Sequence, residues 1–331
     1  MIEILSYPFM QRALLAALLT GLIAPAIGTY VVQRRLSLLG DGLGHVALAG
    51  VGLALLTGSA PIPIAVAACV AGAVVVEILR QRGKATGDVG LAVLFYGGLA
   101  AGVFLSGISG VGAGGLAQYL FGSLTTVTPA DVKVIAVLAV VILVTTLGLA
   151  PQLYAVSTDE EFARTQGLPV RLYNIAVVSL AAITVALAMR TVGLLLVSAL
   201  MVIPVAAARN LVRGFTATLL CAVGIGVATA VAGAAASFYA NAAPGAFIVL
   251  LAIAVFLLSW PVSYLLRRRR AAVLPEPVDD DELVTPHTIT ESHPHRHAPG
   301  CGHLAVQHGD HTDFIHEGHR HAVHADHYDE H

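Results

Sequence analysis

Nine apolar stretches, at 9–32, 41–58, 61–79, 88–107, 130–149, 172–189, 191–208, 215–238 and 245–266, follow one another along this chain. A bilayer asks for roughly 20 consecutive apolar residues per helix, and in lipid every backbone polar group must be satisfied within its own structure. A chain written this way is expected to be all-α, a polytopic helical membrane protein. Several stretches are short and the 189–191 junction is tight. The expected count is therefore nine transmembrane helices, or eight if one short Gly/Pro-bearing segment is re-entrant. A hydrophobic fraction of 57%, a charged fraction of 11% and a mean hydropathy of +0.82 exclude an ordinary soluble enzyme. The net charge of -2 says little, because acids and bases are segregated along the chain. Lipid is the expected environment, and no nucleic-acid partner is expected.

Basic residues set the orientation. They fall at Arg34 and Arg35, at Arg80, Arg82 and Lys84, at Arg164 and Arg171, at Arg209 and Arg213, and at Arg267 through Arg270. These clusters follow alternate connections, so the positive-inside rule puts them in the cytoplasm and the N-terminus outside. Arg12, Lys133 and Arg190 are the exceptions. The expected location is the bacterial cytoplasmic membrane, with a cytoplasmic C-terminal tail. Glu3 and the lack of a basic n-region argue against a removable signal peptide. Cys69, Cys221 and Cys301 make no disulfide framework. Dense glycines, such as Gly40, Gly42, Gly44, Gly50 and Gly52, allow close helix packing in lipid. Pro25 and Pro204 are expected to bend their spans. The loop 109–128 is too polar and glycine-rich to span, and reads as an external segment with a short helix against the bundle.

Asp41 and His45 stand one helical turn apart within a span, on one face of the helix. An ionisable residue at membrane depth is costly unless paired or wetted, which makes it a functional candidate by default. One carboxylate and one imidazole are half of a four-coordinate zinc shell. The competing reading is a structural pair in which His45 is hydrogen-bonded to Asp41.

Between two spans runs Ser157-Thr158-Asp159-Glu160-Glu161-Phe162-Ala163-Arg164-Thr165-Gln166-Gly167-Leu168-Pro169. Ser/Thr followed by acids starts a helix, and Gly-Leu-Pro stops it. A cytoplasmic helix of about two turns is expected here. The spacing of Glu161, Ala163 and Gly167 resembles the loop by which importer permeases dock on their ATPase. The coupling segment therefore comprises Asp159, Glu160, Glu161, Ala163, Gly167 and Pro169. No Walker A loop is present: Gly83-Lys84-Ala85-Thr86 lacks the upstream glycine and the hydroxyl residue directly after the lysine.

With Arg34 through Asp41 leading to His45, Tyr119-Leu120-Phe121-Gly122, Ala163 through Pro169, and Val197 through Pro204, the chain resembles the membrane permease subunit of bacterial ABC importers for zinc and manganese. It resembles specifically the zinc-uptake permease, over roughly residues 8 to 266. The resemblance implies a homodimer of permeases, separate ATP-binding-cassette ATPase subunits, and an extracytoplasmic metal-binding protein. The chain itself would then be no enzyme. A two-fold axis would bring two copies of Asp41 and His45 together, completing four ligands. The family motif often carries Ser before the histidine, and here Gly44 takes that place. The alternatives are a manganese or iron permease, and a proton-coupled metal carrier, which would need more intramembrane acids and histidines than Asp41, His45 and Glu77 provide.

After Arg270 the hydropathy collapses, dividing a permease domain, 1–270, from a tail, 271–331. Asp279-Asp280-Asp281-Glu282 reads as an acidic linker. Every histidine except His45 follows Pro286. The tail's expected metal-binding residues are His293, His295, His297, Cys301, His303, His308, His311, His316, His319, His321, His324 and His327. Such tracts favour zinc, nickel and copper over manganese. The tail is expected to be disordered and to accept, buffer or sense imported Zn2+. No tightly bound cofactor is expected.

Overall fold

The computed structural model describes residues 6–82, 87–110, 119–123, 125–189, 192–194, 196–271, 288–290, 302–308, 311–316, 319–324 and 327–330. Its helices are α1 (Pro8–Gln33), α2 (Leu39–Thr57), α3 (Pro61–Gln81), α4 (Gly87–Ile108), α5 (Pro129–Gly148), α6 (Ala150–Thr158), α7 (Glu160–Thr165), α8 (Val170–Ala188), α9 (Val197–Leu211), α10 (Phe215–Ala240) and α11 (Pro244–Ala271). Eight of these are long and apolar enough to cross a membrane. The protein is a polytopic helical membrane protein, as the apolar stretches require.

The seventh stretch, 191–208, forms too short a helix to span by length, which gives the lower of the two expected counts. Residues 192, 194 and 196 lie in turns, and the helix begins only at Val197, leaving 15 residues. At 1.5 Å per residue that is roughly 22 Å, short of a ~30 Å hydrocarbon core. The break has a local cause. Gly193 sits at φ +89, and a Cβ there would lie 2.4 Å from the carbonyl oxygen of Leu120. The Tyr119–Gly122 segment is thus pressed against this turn, with Leu194 N–H donating to Tyr119 O at 2.9 Å. The short segment expected to lie against the bundle does so at residues 119–121, which are helical.

Two helices organise the unit Met1–Tyr264. α1 packs against α10, α9, α5 and α8, and α2 packs against α4, α3, α8 and α9. α1, α2 and α8 are buried over most of their surface, whereas α3, α4, α5 and α11 each bury a smaller share. Glycines set the tightest of these contacts. A Cβ on Gly28 of α1 would stand 2.0 Å from the Met201 carbonyl oxygen, and one on Gly98 of α4 would stand 2.6 Å from the His45 carbonyl carbon. Backbones this close gain packing that lipid-facing side chains cannot supply.

The second unit, Leu265–His331, contains β1 (Thr288–Thr290), β2 (Leu304–His308), β3 (His311–His316), β4 (His319–His324) and β5 (His327–Glu330). They form one antiparallel sheet in the order β1-β5-β4-β3-β2. Beyond residue 271 the described residues are confined to these short strands, in keeping with a tail expected to carry little fixed structure. Among those residues with described side chains only Asp313 and Phe314 are buried, so apolar burial contributes little to the pairing. The acidic linker, His293, His295, His297 and Cys301 lie outside the described residues.

Candidate metal pathway and coupling segment

Asp41 lies in the first turn of α2, where a carboxylate complements the exposed N–H groups of the helix. Its described hydrogen-bond partner is Ser198 of α9, whose hydroxyl donates to Oδ1. The approach that permits this contact depends on glycine. A Cβ on Gly40 would meet Ser198 Cβ at 2.8 Å, and one on Gly44 would meet the Leu194 carbonyl oxygen at 2.9 Å. Gly40 thus admits Ser198 of α9, a hydroxyl from another part of the chain, and Gly44 admits the turn that precedes α9.

His45 is 8% exposed and lies edge-on to Phe95, with ring centroids 4.1 Å apart. The expected alternative, a structural Asp41–His45 hydrogen bond, is not the arrangement found: Asp41 engages Ser198 instead. A cavity of about 310 Å³ opens beside the pair, lined by Leu38, Asp41, Gly42, Leu91, Ala92, Phe95 and Tyr96. Asp41 reaches it directly, while His45 lies behind Phe95 and outside the lining. Leu38 and Tyr96 stand on its rim, 66% and 69% exposed. Among the described residues, no three His, Cys, Asp or Glu side chains gather closely enough to hold a metal ion. One chain thus contributes an anionic oxygen and a nitrogen ligand, but no closed coordination shell.

The coupling segment holds the expected helix of about two turns, started by Asp159 and not by Ser157 or Thr158. Ser157 and Thr158 end α6, and Asp159 caps α7, accepting from the N–H groups of Glu161 and Phe162 at 2.9 Å each. α7 is only six residues long. It stops at Gly167, whose φ of +79 lets its N–H donate to Arg164 O and the Leu168 N–H to Ala163 O. Ala163 is buried against Val156 and Val170. Asp159, Glu161, Phe162, Arg164, Gly167 and Pro169 are exposed.

Glu160 faces the other way. Its Oε1 accepts from Arg34 Nη2 at 3.4 Å, Arg80 Nη2 at 3.2 Å and Asn174 Nδ2 at 3.0 Å. Glu77, 3% exposed, accepts from Arg80 Nε and Nη2 at 3.0 and 2.8 Å and from Gln81 at 2.8 Å, with Arg34 3.7 Å away. Burial pulls the Arg34 guanidinium below its ordinary value, and Glu77 and Glu160 draw it back up. Two arginines and two glutamates thereby tie α7 to the ends of α1 and α3 and to α8. Sequence reasoning noticed Glu77 as an isolated acid and missed the cluster. The available signal was Asn174, a lone amide in an apolar span.

Related proteins place the whole architecture. The manganese transport system membrane protein MntC of Halalkalibacterium halodurans is 31% identical over 259 residues, 78% of this chain and 88% of that one. The chelated iron transport system membrane protein YfeD of Yersinia pestis is 28% identical over 284 residues, 84% of this chain and 94% of that one. Among solved structures, PsaBC from Streptococcus pneumoniae in complex with Fab superposes with a TM-score of 0.71 at 27% identity, covering 78% of this chain and 92% of that one. Residues 6–263 match the ABC 3 transport family, and the chain belongs to that family.

Proposed function

We propose that this chain is the membrane permease of an ATP-driven importer of divalent metal, with Zn2+ as its preferred cargo. ATP is hydrolysed by separate cassette subunits, and an extracytoplasmic binding protein delivers the ion. Two copies of the chain set their Asp41 and His45 side chains around the ion on a shared axis. The observation that carries this reading is Asp41, a carboxylate inside the bundle that holds one hydroxyl partner, Ser198, and opens on a cavity of about 310 Å³. A dication supplies the charge that such a group lacks. Few ligands per chain also suit a site that must release its ion.

The exposed face of α7, with Glu161, Phe162 and Arg164, is the surface offered to the ATPase in the cytoplasm. The inward Glu160 carries any displacement of α7 to α1, α3 and α8. The tail follows the arginine run of α11 into the same compartment of a bacterial cytoplasmic membrane, where it accepts newly imported ion. Zinc is favoured because imidazole, at His45 and throughout the tail, prefers borderline metals to manganese. The second reading is manganese or iron, favoured by the names of MntC and YfeD. A proton-coupled carrier is disfavoured by membership of the ABC 3 transport family.

Uptake by vesicles holding the chain, its ATPase and its binding protein tests the proposal. Zinc uptake should require ATP and exceed manganese uptake at equal concentration. In His45→Asp the preference should move toward manganese, because the site becomes all-oxygen. ATP-independent uptake would reject the importer, and wild-type zinc uptake in His45→Ala would move the pathway elsewhere.

A further inference from the structure

The ends of α1 and α3 meet α6 around a second cavity, of about 250 Å³. Three arginines line it, Arg34, Arg35 and Arg80, together with the hydroxyl residues Ser157 and Thr158. Glu160 is the single acid in that lining, and its Oε1 already accepts from Arg34, Arg80 and Asn174. Glu77 and Glu160 balance Arg34 and Arg80, and among the described residues no carboxylate pairs with Arg35. The cluster therefore carries an excess positive charge. Two of the residues lining the cavity also hold a buried polar atom with no partner, Arg34 at Nη1 and Ser157 at Oγ. The Arg34 side chain is 4% exposed. Both atoms can donate a hydrogen bond.

An unsatisfied buried donor carries a desolvation penalty, and a charged one carries more. Water alone pairs with both atoms but leaves the charge of Arg35 unanswered. An anion answers both needs. The backbone points the same way. Arg35 sits at φ +59, in the left-handed region, where a glycine would sit without strain. The fold holds an arginine there, its N–H donating to Val32 O and the Leu36 N–H to Val31 O. Arg34 caps α1 and Arg80 lies in the last turn of α3. Both helices are long and apolar enough to cross a membrane, so the cavity lies where spans end. Lipid phosphates are concentrated at that level, and the guanidinium fork matches phosphate oxygens.

We propose that this cavity is a binding site for one phosphate group, held by Arg34 Nη1, the Arg35 guanidinium and the Ser157 hydroxyl. A phosphodiester carries a single negative charge, which matches the one cation the cluster leaves unpaired. An anionic phospholipid headgroup presents such a group from the membrane, and free phosphate offers the same oxygens from solution. The occupant joins the end of α1 to the end of α6, beside the coupling segment. The site shares no residue with the cavity at Asp41 and stands whichever metal is carried.

The full-length chain, purified in detergent and stripped of lipid, is titrated separately with phosphatidylglycerol, phosphatidylcholine and inorganic phosphate. Native mass spectrometry counts the molecules bound. The test variant is Arg35→Gly with Ser157→Ala. It removes the charge and the hydroxyl, eases the left-handed backbone and leaves Arg34 to Glu77 and Glu160, so it should unfold no earlier than the parent. Arg82→Gln is the control, since it removes an exposed arginine at the end of α3 that lies outside the cavity. The parent should hold one phosphate-bearing molecule tightly. The double variant should raise its half-saturating concentration about tenfold or more, the scale of a lost charge-assisted hydrogen bond, and Arg82→Gln should leave it unchanged. A response to phosphatidylglycerol alone assigns the phosphate to a lipid headgroup, and a response to inorganic phosphate assigns it to the free anion; either upholds the site. Parent affinity in the double variant, or equal weakening by Arg82→Gln, would overturn it in favour of general attraction by a basic surface. Equally tight binding of zwitterionic phosphatidylcholine would overturn recognition by charge, and no binding of any probe would leave the cavity to water.

Discussion

Glu77 and Asp41 are both carboxylates set among the same helices, and the fold treats them in opposite ways. Glu77 is saturated: a bidentate arginine, a glutamine amide and a second arginine surround it. Asp41 has a serine hydroxyl and a cavity, and among the described residues no cation pairs with it. A buried charge that only has to hold helices together needs its counter-charge in the same chain, because the desolvation penalty of an unpaired ion is several kcal/mol. A charge that has to receive an ion from outside must forgo that partner. The contrast separates a structural carboxylate from one suited to transport, although both lie near helix ends and look alike in the sequence.

The largest expected effect breaks this contrast from the transport side. Asp41→Asn keeps the size of the side chain and can still engage Ser198, so thermal stability in detergent should stay close to wild type while metal uptake is lost. Glu77→Gln should do the reverse. It leaves Arg34 and Arg80 with one carboxylate, Glu160, and should cost about 3–5 kcal/mol of stability, measured by thermal unfolding. Uptake should then fall only as far as the amount of folded protein does. Equal loss of stability in both variants would erase the distinction between the two carboxylates.

A smaller effect sharpens it. Ser198→Ala removes the hydroxyl that orients Asp41 and should raise the half-saturating metal concentration by about tenfold, in line with other groups that position a ligand. Maximal uptake and folding should be little changed. Unaltered concentration dependence would mean that the Ser198 contact does not organise the site. The smallest expected effect is at the coupling segment. Gly167→Ala meets no neighbouring atom, yet a non-glycine residue at φ +79 costs about 1–2 kcal/mol. ATPase activity should become less responsive to transported metal, while the unfolding temperature falls by only a few degrees. Coupling measured as metal-stimulated ATP hydrolysis checks this.

Much of the bundle was legible because lipid leaves the backbone so few choices. Apolar lengths located α1 to α5, α8, α10 and α11, and arginine spacing marked the ends that share a side. The α9 region read either as a span from residue 191 or as a short segment, and hydropathy could not choose between them because it registers composition and not contact. Gly193 looks like any other small residue until Leu120 is found against it. Asp41 and His45 were legible as intramembrane ionisable residues at helical spacing. Their surroundings were not, since Ser198 lies 157 residues from Asp41 and Phe95 on another helix.

The sequence by itself determined that this chain crosses a membrane as helices, which residues are costly there, and where an accessory helix meets the aqueous side. Those properties depend on local composition and on the solvent the backbone must satisfy. Tertiary structure decided which carboxylate is paired and which is left open. It also decided that α9 starts late, and that Gly40 admits a hydroxyl delivered by α9. Each of these depends on how closely two distant backbones approach, a distance fixed by packing across the bundle and not by any one segment.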